Sequence, residues 1–138
     1  MNKLEYIQGD LVMTKTEPNN FTPNGVICKF VRYEDKNKVL IDVVNGVDHY
    51  VSEREWIAPV PLTLGVLEKN EWICTNDFPL TYTKGNQPHT FRVAQFYAKK
   101  DVFYVYHGRD NYPLREVRYV HQLQHLLFGL GLNHEMEV

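Results

Sequence analysis

The sequence predicts an α+β protein: an N-terminal SH3-like small β-barrel, then an antiparallel meander packed against a C-terminal helix. Three observations predict it. Five short apolar-alternating runs fall within residues 10–57, broken by turn residues, as in small barrels. A second set of β-branched and aromatic runs lies between residues 72 and 117. One clear helical period, YVHQLQHLLFGLG over Tyr119–Gly131, follows them. The strand pattern supports an open meander over the first 60 residues equally well.

The first strand is expected at Asp10–Lys15, entered through a turn at Gly9. TEPNNFTPNG, residues 16–25, is rich in Pro and Asn and reads as a loop, with Phe21 folded back onto the body. Val26–Tyr33 is the second strand, and Cys28 and Phe30 share its core face. Residues 34–37 form a polar hairpin loop before Lys38–Val44, where Val39, Ile41 and Val43 share a face. Asn45–Gly46 is a strong hairpin signal, because both central positions of a type I′ turn need positive φ. Val47–Ser52 follows, and Trp56–Ile57 starts a fifth strand.

Ala58-Pro-Val-Pro-Leu62 removes two backbone donors and sets the expected boundary between lobes 1–60 and 61–138. Thr63 caps a short helix over Leu64–Asn70. Trp72–Thr75, Phe78–Thr83, Thr90–Ala98, Val102–Tyr106 and Tyr112–Val117 supply the meander, with Phe91 and Val93 on one face of their strand. In the closing helix, Val120, Leu123, Leu127 and Leu130 form an apolar stripe expected to pack on the VFYVY strand. His121, Gln122 and His125 fall on its polar side, and Gly131 fits a C-cap.

The totals exclude several classes. A chain of 138 residues with 43% hydrophobic and 23% charged residues folds without disulfides or metals. The formal net charge of −2 does not select a nucleic-acid or membrane partner. Cys28 and Cys74 form no CxxC, the N-terminal residues show no secretory signal, and no apolar run reaches membrane length. A soluble, cytoplasmic protein with two free thiols is expected.

Two stretches carry a resemblance. YVHQLQHLLFGLG with the following HEMEV, and PLTLGVLEKNEW over Pro61–Trp72, resemble recurring motifs of a family of small uncharacterised proteins from anaerobic gut bacteria and their phages and prophages. The chain departs from that pattern at Leu64–Gly65, where the family tends to Pro–Glu, and at Glu71, where it tends to Gly. The resemblance implies an SH3-like first half and an α+β second half. It implies no activity.

Candidate chemistry is sparse. Ser52 is the only serine and lacks a GxSxG setting, neither thiol has a cationic neighbour in sequence, and no phosphate-binding glycine loop is present. A non-catalytic protein without a cofactor is therefore expected, with another protein as its partner. Nucleic acid is the alternative partner, because aromatics interleaved with basic residues stack and neutralise single strands. The candidate binding residues are Arg92, Tyr97, Tyr104, Tyr106, Arg109, Tyr112 and Arg115, within a stretch where seven basic residues (84–118) outnumber three acidic ones. His121 and His125, at i and i+4, are weak metal candidates, since a third ligand is missing.

Overall fold

The computed structural model describes residues 6–14, 26–44, 49–85, 90–96 and 98–138. Phe21, the Asn45–Gly46 turn and Tyr97 lie outside the described residues. The chain divides into two compact units: residues 1–60 with 120–136, and residues 61–119 with 137–138. The fold is α+β, with ten strands in two antiparallel sheets and two α-helices among the described residues.

The first unit holds β1 (Leu11–Thr14), β2 (Ile27–Asp35), β3 (Lys38–Val43), β4 (His49–Glu53) and β5 (Ile57–Pro59). One turn of 3-10 helix, Arg54–Trp56, joins the last two. The sheet runs β4-β3-β2-β1-β5, an open order whose ends do not pair among the described residues. The expected barrel is thus seen here as a five-stranded sheet without closure. Register follows the apolar alternation: Cys28 faces Val43 and Phe30 faces Ile41 across β2 and β3. These residues join Tyr6, Val12, Val39 and Ile57 in one apolar core. The β2–β3 turn falls at Lys36–Asn37, where the Asn37 N–H donates to the Asp35 carboxylate at 2.7 Å.

The closing helix, α2 (Val120–Gly129), groups with this first unit. Its buried side chains are Val120, His121, Leu123 and Gln124. The buried face is rotated from the expected stripe: Val120 and Leu123 are buried as expected, but so is His121, while Leu130 is 46% exposed. Periodicity locates an apolar face but does not weigh a buried Gln or His that finds partners in the tertiary structure. The helix ends as expected. Gly131 takes φ 73°, its N–H donates to Phe128, and the Leu132 N–H reaches back to Leu127 at 2.9 Å.

The second unit holds α1 (Leu64–Lys69), β6 (Ile73–Asp77), β7 (Leu80–Lys84), β8 (Phe91–Gln95), β9 (Phe103–His107) and β10 (Arg115–Val117). Its sheet is a pure meander, β10-β9-β8-β7-β6. The five expected runs form its five strands, and the β6–β7 turn falls at Phe78–Pro79, a cis peptide, so β6 runs on through Asn76–Asp77, between the first two expected runs. Tyr82, Val93 and Val105 pair across β7, β8 and β9, so they share one face. α1 ties to that face: the Tyr82 hydroxyl donates to Glu68 at 3.0 Å, and Lys84 Nζ donates to the Asn70 carbonyl at 2.7 Å.

Thr63 caps α1 as its sequence predicts, accepting from the Val66 N–H at 3.2 Å. The other end explains the departure at Glu71. That residue adopts φ 69°, the only positive φ outside glycine among the described residues. Its N–H donates to Glu68, and the Trp72 N–H donates to Leu67, so a left-handed terminator forms without glycine. Burial of both Leu67 and Trp72 holds it in place.

Glu71→Gly should relieve the left-handed penalty and stabilise the protein by about 1 kcal/mol, read as a raised denaturant midpoint with unchanged slope. Leu123→Ala should cost about 3 kcal/mol, whereas Leu130→Ala should stay within about 0.5 kcal/mol. Equal losses at the two positions would contradict the observed rotation of α2.

Candidate functional site

Three places hold enough chemistry to be considered, two in the second unit and one in the first. The expected aromatic–basic face lies on β8, β9 and β10. Arg92 pairs with Tyr106, and Ala94 with Tyr104, so Arg92, Tyr104 and Tyr106 do share one face. Arg115 pairs with Val105 and so falls on the opposite face from Arg92, where at the sheet edge it stays exposed. Glu116 is the residue opposite Tyr104. Arg109 and Tyr112 are exposed in the β9–β10 connection, Tyr112 at 85%.

Arg92 is committed within the protein. Arg92 Nε donates to the Gly108 carbonyl at 2.8 Å and its terminal nitrogen to the Asp110 carbonyl at 2.6 Å. Its guanidinium also lies 4.8 Å from the Tyr106 ring centroid. Arg92 therefore fastens the β9–β10 connection to the sheet. Arg118 lies 3.3 Å from Asp101 and 3.7 Å from Glu116. Sequence spacing brought these side chains near one another, but it could not show which backbone carbonyls they would meet.

The histidine pair sits in the first unit. His125 Nε2 lies 2.6 Å from Asp10 Oδ2, which also accepts from the Ile7 N–H at 2.8 Å. Asp10 is fully buried, and its Oδ1 has no hydrogen-bond partner among the described residues. The ring of His121 packs 5.0 Å from Tyr6 and 5.4 Å from His125, centroid to centroid. Gln124, buried beside them, accepts from the Leu11 N–H at 2.9 Å and donates to the carbonyls of Gly9 and His134 at 3.2 and 3.1 Å. No group of three or more His, Cys, Asp or Glu residues is placed to hold a metal ion among the described residues. Asp10, adjacent to a Gly turn in sequence, is the partner that reading the helix alone missed.

The third place was not foreseen. Where the β6–β7 turn meets the segment after β8, an open groove of about 530 Å³ is lined by Phe78, Pro79, Leu80, Phe96, Ala98 and Lys100, with Asp77 and Gln95. Phe78 is 84% exposed and Phe96 38%. Tyr104 packs edge-on against Phe96 at 5.4 Å, which supports the groove from the adjoining strand. An FPL triplet at a turn is the signal available in sequence, but it reads as an ordinary strand start.

The thiols are inert or isolated. Burial, with Asp42 contributing, pushes the Cys28 thiol up to about 11. Cys74 is exposed on β6 and contacts the Asn76 carbonyl at 3.5 Å. Among the described residues no helix is long and apolar enough to cross a membrane. No known family, curated protein or solved structure matches the chain.

Burial raises the Asp10 carboxyl from its ordinary value of 3.8, against the lowering effects of the Ile7 N–H and His125. A raised acid favours the protonated, folded form. Its contribution to stability is thus fullest below 3.8 and is lost as pH rises through the raised value. Asp10→Asn keeps an acceptor for Ile7 and abolishes this titration. The wild-type-minus-variant difference in unfolding free energy should therefore fall from acid toward neutral pH. Parallel curves in denaturant titrations would exclude Asp10 as the titrating group.

Proposed function

We propose that the protein is a non-catalytic interaction protein, and that it binds an apolar side chain of another protein in the Phe78–Phe96 groove. The observation that carries this reading is the exposure of Phe78 at 84% beside a second exposed aromatic. Burying a phenylalanine side chain is worth about 1.5–3 kcal/mol, so a partner gains by covering it. Contiguous apolar surface of this kind marks interaction sites. The groove's charged groups, Asp77 and Lys100, are of opposite sign, which suits an apolar occupant better than a polyanion.

Nucleic acid is the weaker partner. Arg92 and Arg118 are engaged within the protein, and Glu116 stands opposite Tyr104 on the face a strand would have to cover. In the first unit, β1 pairs with both β2 and β5, and a 3-10 turn links β4 to β5. That order supports reading the unit as an open relative of the SH3-like barrel. The same proposal keeps the chain among cytoplasmic accessory proteins of phages and prophages, on the strength of its PLTLGVLEKNEW and YVHQLQ stretches.

Selection from a random peptide library should enrich ligands bearing aromatic or large aliphatic residues. Phe78→Asp should weaken those ligands roughly thirtyfold, about 2 kcal/mol, without changing thermal stability. Short DNA and RNA should show no salt-dependent mobility shift. Enriched peptides that bind the Phe78→Asp protein equally well, or a nucleic-acid shift abolished by salt, would overturn the reading.

A further inference from the structure

The two stretches that stand out in the sequence begin at one place in the second unit. Pro61, which opens PLTLGVLEKNEW, forms a β-bridge with Tyr119, which opens YVHQLQ, and the Leu62 N–H donates to the Arg118 carbonyl at 3.0 Å. Beside this junction lies a pocket of about 360 Å³, within the range of about 300–1,000 Å³ usual for small-molecule sites. Pro61, Leu64 and Tyr119 give it accessible apolar surface. Thr63, Gln95, Lys100, Asp101 and Arg118 supply its polar lining.

That lining suits one negative charge. Lys100 and Arg118 stand against Asp101, two cations to one acid, so the lining carries one surplus positive charge. A dianion would leave charge uncompensated beside Asp101. The Arg118 side chain is half-exposed, and its planar guanidinium matches a carboxylate with two parallel N–H donors. Its ion pairs with Asp101 at 3.3 Å and with Glu116, outside the lining, at 3.7 Å are longer than the roughly 2.7–2.9 Å of a tight charge-assisted bond. Asp101 is 84% exposed, and such surface pairs add little stability, so an incoming carboxylate displaces it at small cost. The Thr63 hydroxyl accepts from the Val66 N–H at 3.2 Å and keeps its own proton to donate. The Gln95 side-chain amide donates to the Lys100 carbonyl, which ties down the β8–β9 connection carrying Lys100 and Asp101.

We infer that this pocket binds a small organic monocarboxylate, its carboxylate on Arg118 and Thr63 and its apolar body against Pro61, Leu64 and Tyr119. A nucleic-acid strand needs many cations along its length, whereas a single carboxylate needs one guanidinium with loose partners. The pocket and the Phe78 groove share Gln95 and Lys100 but are lined otherwise by different residues, so either site can fail without the other.

Benzoate is the probe, titrated into the full chain while the Arg118 Nε–H and Gln95 side-chain NH2 resonances are followed by NMR. Both should move saturably at millimolar benzoate. Benzamide, of the same shape without the charge, should bind at least about tenfold more weakly. Arg118→Gln, read at Gln95, should weaken benzoate by about the same factor. Asp101→Asn removes the competing carboxylate and should strengthen benzoate binding, a gain that a merely structural Arg118 would not produce. Phe78→Asp should leave the titration unchanged. The inference is overturned by the absence of a saturable shift, by benzamide matching benzoate, or by inorganic phosphate binding more tightly than benzoate. It is overturned equally by binding that survives Arg118→Gln, that does not strengthen in Asp101→Asn, or that is lost in Phe78→Asp.

Discussion

Gln124 makes the connection on which the first unit depends. Its side-chain amide is buried and meets three main-chain groups, at Gly9, Leu11 and His134. Two of them lie more than 110 positions away in sequence. An apolar residue there would leave the Leu11 N–H without a partner inside the protein, at a cost of about 1–3 kcal/mol. The same turn of helix carries His125 to Asp10. Helix α2 is therefore specified by polar side chains that match the entrance to β1, while Val120 and Leu123 supply the apolar area. Apolar burial is non-directional, so the hydrogen bonds select the partner.

The second unit is ordered by different means. Its meander is local, each strand pairing with its neighbour in sequence, and α1 is stitched to the sheet by Tyr82, Glu68 and Lys84. Arg92 does for the β9–β10 connection what Gln124 does for α2: it turns a long polar side chain into a clamp on backbone carbonyls. Asn70 repeats the device on residue 137. Such side chains look, in sequence, like solvent-facing charge and amide.

The two helix ends show how a local signal and its tertiary setting divide the work. Gly131 announces a left-handed terminator, and one forms. Glu71 announces none, yet the same terminator forms, because burial of Leu67 and Trp72 outweighs the penalty of about 1–2 kcal/mol for that backbone geometry.

Much of the strand order was legible from the chain alone. Alternation placed Cys28, Phe30, Val39 and Ile41 in one core, and Phe91 with Val93 in the other, because a period of two assigns faces without reference to any partner. Thr63 and Gly131 marked helix ends through chemistry that acts over three or four residues. The tertiary structure alone decided what depends on distant partners: that α2 folds with β1, that His121 and Gln124 are inside, that Arg115 and Arg92 fall on opposite faces, and that Phe78 stays exposed. Local pattern encodes which face is apolar. Whether a polar side chain on it finds a buried partner is a property of the folded whole.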